Sequence, residues 1–89
     1  MTKEDVIRDL NGELHFPAFS QPLTWLDQAC RLFDYFWCME YNPGRGYQVF
    51  VSDYGPAPDT YYYKNAVPAV MHGIRMLRQK LIDDGHLKE

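Results

Sequence analysis

Apolar positions along this chain follow a helical spacing, change to alternation in the middle, and then return to a helical spacing. Val6, Ile7 and Leu10 share one side of a short first helix. Thr2 stands in front of it as a capping hydroxyl, with Glu4 and Asp5 in the first turn where carboxylates favour the positive end of the dipole. Asn11-Gly12 supplies residues that tolerate the left-handed conformation expected to end it. Residues 13–20, with Leu14, Phe16 and Phe19 around Pro17, read as an extended arm laid over the core. Leu23, Leu26, Ala29, Leu32, Phe33 and Phe36 then recur at helical spacing, with Pro22 in the first turn and Ser20 or Thr24 as cap, so a second helix is expected over 22–35. Asp27 and Arg31 form an i,i+4 pair on its polar side.

The run from Tyr35 to Tyr41 fits either more helix or a strand. Its aromatic content, and its closure by Asn42-Pro43-Gly44-Arg45-Gly46, favour a strand entering a hairpin turn. Residues 46–53 alternate, with Tyr47, Val49 and Val51 on one face and Gln48, Phe50 and Ser52 on the other, which is the firmest strand pattern in the chain. After the turn-forming residues 55–59, the segment 60–64 reads as a third antiparallel strand. Asn65 caps a last helix whose buried stripe is Val67, Val70, Met71, Ile74, Leu77 and Leu81, with Pro68 in its first turn and Asp83-Asp84-Gly85 at its end. The expected fold class is α+β: a short N-terminal helix, then α-β-β-β-α, with a three-stranded antiparallel sheet packed against two helices. Its 89 residues form a single domain, with helix and arm in 1–20 and the core in 22–83.

Composition changes this picture in one respect. Hydrophobic residues at 46% and charged residues at 24% are ordinary for a folded domain, but seven Tyr, five Phe and two Trp are more rings than a core this small encloses. Some must reach the surface, and tyrosine is enriched where proteins meet. A small core also gains from added buried area, so a homodimer is expected. A net charge of −3 disfavours nucleic acid as the main partner, because phosphate neutralisation needs cations. Cys30 and Cys38 read as free thiols in a reducing cytoplasm, without CxxC or metal-ligand spacing, and no apolar run reaches membrane-spanning length.

The chain shows no nucleophile elbow, P-loop or metal motif, and His15, His72 and His86 are dispersed, so neither enzyme activity nor a cofactor is expected. Lys64, His72, Arg75, Arg78 and Lys80 give the last helix a basic character suited to an acidic partner. Alternation sends Tyr61 and Tyr63 to one face and Tyr62 to the other, with Tyr47 within reach on a neighbouring strand. The expected function is therefore protein–protein interaction, with Tyr47, Tyr61, Tyr62, Tyr63, Arg75 and Arg78 as contact residues. The alternative is a nucleic-acid or nucleotide-binding module that uses the same rings and cations.

The element order ending at Lys64-Asn65-Ala66 superficially resembles the double-stranded-RNA-binding domain, although Tyr61-Tyr62-Tyr63-Lys64-Asn65 offers one lysine where that family has several. Residues 22–80, with the helix opening Asn65-Ala66-Val67-Pro68-Ala69-Val70 after an aromatic hairpin, resemble the small α-β-β-β-α sandwich proteins of phage and prophage accessory genes. That resemblance implies a mobile-element protein in a bacterial cytoplasm that binds and modulates a host protein, for example one used in defence.

Overall fold

The computed structural model describes residues 1–12, 14, 16, 21–52 and 62–89. Helix α1 spans Lys3–Asn11, α2 Gln21–Leu32 and α3 Ala66–Asp83, while strands β1, Trp37–Asn42, and β2, Gly46–Val51, form an antiparallel hairpin. The fold class is α+β, with two strands rather than the expected three among the described residues. Of the expected third strand, the described residues show one antiparallel bridge, Tyr47 to Tyr63. Thr60, Tyr61, the turn residues 55–59, the Ser20 cap and most of the 13–20 arm lie outside the described residues. Leu14 and Phe16 of that arm are half-buried against the core.

Local chemistry accounts for the helix bounds. Thr2 and Asp5 close a capping box, the Thr2 Oγ1 accepting from Asp5 N at 3.2 Å and the Asp5 carboxylate from Thr2 N at 2.8 Å. The Thr2 N–H, followed by the Thr2 side chain, holds the Asp5 carboxyl below its ordinary range. Gly12 caps α1 in an extended rather than the expected left-handed conformation, its N–H still reaching Arg8 O. Pro22 sits in the first turn of α2 as expected, whereas Thr24 lies inside the helix and does not cap it.

Helix α2 stops at Leu32, before the expected 35, for a specific reason. Asp34 adopts φ 56°, Tyr35 N donates to Cys30 O at 2.8 Å, and Asp34 N donates to Arg31 O at 3.3 Å. This is a Schellman ending with aspartate at the left-handed position. Phe36, expected on the helical stripe, is instead 65% exposed between α2 and β1. Helix α3 ends the same way around Gly85, φ 83°, with His86 N on Leu81 O and Gly85 N on Ile82 O. At its start Asn65 occupies the cap position, but its side chain makes no capping bond.

The β1–β2 register pairs Trp37 with Val51, Met39 with Val49, and Tyr41 with Tyr47, which puts these six on one face. That face meets α3, and α3 in turn meets α2. Val49 and Val51 join Leu26, Ala29, Cys30, Ala69, Val70, Ile74, Leu77 and Leu81 in the core, with Val6 and Leu10 added by α1. Val67 and Met71 of the expected α3 stripe are half-buried, while Ala69 and Gly73 take fully buried places. Gly73 is where α3 and β2 press closest, because a Cβ there would lie 2.5 Å from Val49 Cγ1 and 3.2 Å from Leu26 Cδ2. On the opposite face of the hairpin Gln48 is buried and Cys38 and Phe50 are half-buried. Among the described residues no helix is long and apolar enough to cross a membrane.

Each tryptophan ties a neighbour to α2. Trp25 Nε1 donates to Asp9 Oδ2 of α1 at 2.9 Å, and Trp37 Nε1 of β1 donates to Asp27 Oδ1 at 2.9 Å. Asp27 also forms its expected pair with Arg31 at 3.0 Å, and these bonds hold its carboxyl below the ordinary range.

Candidate functional site

The hairpin turn brings the tyrosines together. Gly46, at φ 115°, opens β2 in a backbone conformation suited to glycine, and a Cβ there would run into the Tyr63 carbonyl. With no side chain in the way, Tyr47 N donates to Tyr63 O at 2.7 Å and Tyr63 N donates to Tyr47 O at 2.9 Å. Tyr47 and Tyr63 are both half-buried against the core. The cross-strand position opposite Tyr47 belongs to Tyr41, whose ring is tilted on that of Tyr47 at 5.0 Å between centroids and is 63% exposed. Tyr62 points the other way, half-buried, with the Arg45 guanidinium 5.5 Å from its ring centroid.

Helix α3 adds the polar side of this cluster. The Tyr63 hydroxyl lies 2.8 Å from His72 Nδ1. Partial burial, reinforced by the Arg75 charge, lowers the His72 pKa below its ordinary 6.5. A neutral imidazole accepts from the phenol at Nδ1, whereas an imidazolium only donates. Protonation therefore opposes this contact if the phenol is the donor.

Of the six contact residues expected from sequence, the structure joins Tyr47 and Tyr63 directly and sets Tyr62, the neighbour of Tyr63 in the chain, against Arg45. It places Arg75 exposed on α3, one turn from His72. Arg78 is half-buried one turn further on, and among the described residues no hydrogen bond, ion pair or ring contact links it to the tyrosines. Tyr61 lies outside the described residues. Sequence reasoning left out Tyr41, Arg45 and His72 as members of the cluster. Tyr41 was nevertheless legible, since a turn over 42–46 makes 41 and 47 cross-strand neighbours.

Two other features bear on chemistry. Cys30 is enclosed in the core, where burial, with a smaller contribution from the Asp27 charge, pushes its thiol up to about 12. Such a thiol is inert at neutral pH. An open hollow of about 390 Å³ lies between α1, Phe33 and His86, with Lys3 Nζ 5.4 Å from the Phe33 ring centroid. Among the described residues no group of three or more His, Cys, Asp and Glu side chains is arranged to hold a metal. Compared with known proteins, the chain matches no family model, no curated protein and no solved structure.

Proposed function

We propose that this chain is a non-enzymatic protein-binding module whose contact surface is the turn end of the hairpin, formed by Tyr41, Arg45, Tyr62 and Arg75 around the Tyr47–Tyr63–His72 contacts. The observation that carries the reading is that one hairpin end, fixed by backbone hydrogen bonds to Tyr63, bears both an exposed tyrosine, Tyr41, and a cation–tyrosine pair, Arg45 with Tyr62. Tyrosine and arginine are enriched among the few residues that carry most of the binding energy at protein interfaces, and a rigid platform lowers the ordering cost of contact. Arg45 and Arg75 make an acidic protein surface the matching chemistry. The resemblance to phage accessory proteins, carried over, makes that partner a host protein of a bacterial cytoplasm.

The test compares the wild-type chain with a Tyr62→Ser/Arg75→Glu variant as bait in bacterial extract, using Gln28→Ala on the far side of α2 as control. The expected result is a protein captured by the wild type and the control and lost by the double variant, with thermal stability unchanged. Capture that survives the double variant places the surface elsewhere. A single-stranded oligonucleotide titrated in parallel separates the nucleic-acid reading, since phosphate-driven affinity falls steeply with salt.

A further inference from the structure

The two edges of the hairpin are in different states. Tyr47 directs its N–H and C=O away from β1, toward Tyr63, so Tyr41 opposite it is a non-hydrogen-bonded pair and directs its own N–H and C=O away from β2. Alternation gives Met39 and Trp37 the same outward direction, consistent with Ser52 N donating to Phe36 O one step further along. Among the described residues these three outward pairs of groups have no partner. An open edge of this kind is a template for another strand.

We propose that the occupant is β1 of a second copy of the chain, paired antiparallel in a register centred on Met39, which joins the two hairpins in the order β2-β1-β1-β2. This goes beyond the reading above, because it uses the edge opposite Tyr63 and a partner identical to the chain. The register follows from self-complementarity. Met39 faces the other copy's Met39, Trp37 faces Tyr41, and each of the three residues donates one N–H and accepts one across the seam. Glu40, the one charged residue of β1, then stands opposite Cys38 rather than another Glu40.

Shifting by one place either way is worse. One shift sets Glu40 against Glu40 and brings Met39 and Trp37 level with Tyr41 and Pro43, where proline has no N–H to give. The other brings Tyr41 level with Tyr35, whose N–H is already bonded to Cys30 O. Charge supports the Met39 register too. It brings the turn that carries exposed Arg45 level with exposed Asp34 of the other copy, and does so twice by symmetry. The exposed rings of Phe36 and Tyr41 flank the seam at its two ends.

The experiment is molar mass by light scattering on the full chain over a concentration series. The expected mass is twice 10.5 kDa at high concentration. Tyr41→Pro should return it to the monomer value, because it removes an N–H that the hairpin does not use and leaves the circular dichroism spectrum as it was. A monomer at every concentration overturns the proposal, as does a dimer that survives Tyr41→Pro with the fold preserved. If Tyr41→Pro fails to fold, Glu40→Cys decides. The thiol introduced at position 40 would face Cys38 of the other copy at a Cα separation of about 4.5 Å, within disulfide reach. Diamide, taking two electrons and two protons per bond, should give a covalent dimer with a 38–40 linkage between chains. The wild type, with Cys30 buried, should stay uncrosslinked. No interchain 38–40 linkage, or a wild-type dimer linked 38–38, overturns the register. Tyr62→Ser/Arg75→Glu should leave the dimer intact while foreign-partner binding is lost, whereas Tyr41→Pro acts at a residue that both surfaces use, so the double variant is the one that separates the two readings.

Discussion

The two edges of one short hairpin have been given opposite fates. The edge of β2 is closed by Tyr63, and the closure depends on Gly46, where an absent side chain lets a foreign backbone approach. The edge of β1 carries Trp37, Met39 and Tyr41 with their backbone groups turned outward and no Pro among them. Edges left open in stable proteins are usually short, charged or covered. This one is short, carries one carboxylate, and is bounded by two exposed rings. The lesson is that closure on one side depends on one glycine, while on the other side the outward backbone groups of Trp37, Met39 and Tyr41 have no partner among the described residues.

The largest expected effect falls on what both edges share, the seating of β2 on α3. Gly73→Val should cost about 3 kcal/mol, because its side chain must displace Val49 and Leu26 in a filled core, and Val49→Ala should restore part of the loss. Chemical denaturation checks both. Gly46→Ala should cost about 2 kcal/mol and act on the closed edge alone, through an unfavourable φ and a collision with the Tyr63 carbonyl. Hydrogen exchange should show protection lost at the Tyr47 and Tyr63 amides and kept at those of Cys38 and Phe50.

Acid should attack the two sides of the hairpin in separate windows. His72 has a lowered pKa when folded, so the unfolded chain takes up its proton first. Stability is therefore unaffected above pH 6.5 and falls as pH drops below it toward the folded value. Asp27 is lowered chiefly by Trp37, and Asp84 chiefly by the Tyr35 hydroxyl at 2.6 Å. Their stabilisation is present above pH 3.8 and is lost as pH falls through their folded values. A melting-temperature profile should show both declines, and His72→Gln should flatten only the first. The smallest effect on stability is expected from Tyr41→Ser, within about 0.5 kcal/mol of wild type, because that ring is largely in water already.

Most of the helical frame was legible in the sequence, because Thr2, Pro22 and Gly85 act through local backbone chemistry that needs no tertiary context. The end of α2 was not. Asp34 takes the left-handed place that glycine usually marks, so the pattern of Phe33 and Phe36 suggested more helix than exists. The hairpin was legible from its turn residues and alternation, and its pairing fixed Tyr41 beside Tyr47. The cluster's polar half was hidden, because Tyr63 meets His72 only once α3 has packed across β2, a contact set by Gly73 and Val49 rather than by spacing. Of the six residues named from sequence, Tyr47 and Tyr63 pair at the hairpin end with Tyr62 next to Tyr63, Arg75 and Arg78 lie one and two turns from His72 on α3, and Tyr61 lies outside the described residues.

The two indole bonds have a spectroscopic consequence. Trp25 reports the docking of α1 through Asp9, and Trp37 reports the docking of the hairpin through Asp27, so the two emitters view different joints of α2. In a Trp37→Phe chain the remaining fluorescence follows α1 alone, and in a Trp25→Phe chain it follows β1 alone. Peeling of the N-terminal helix and opening of the sheet thus become separate optical signals without any added label.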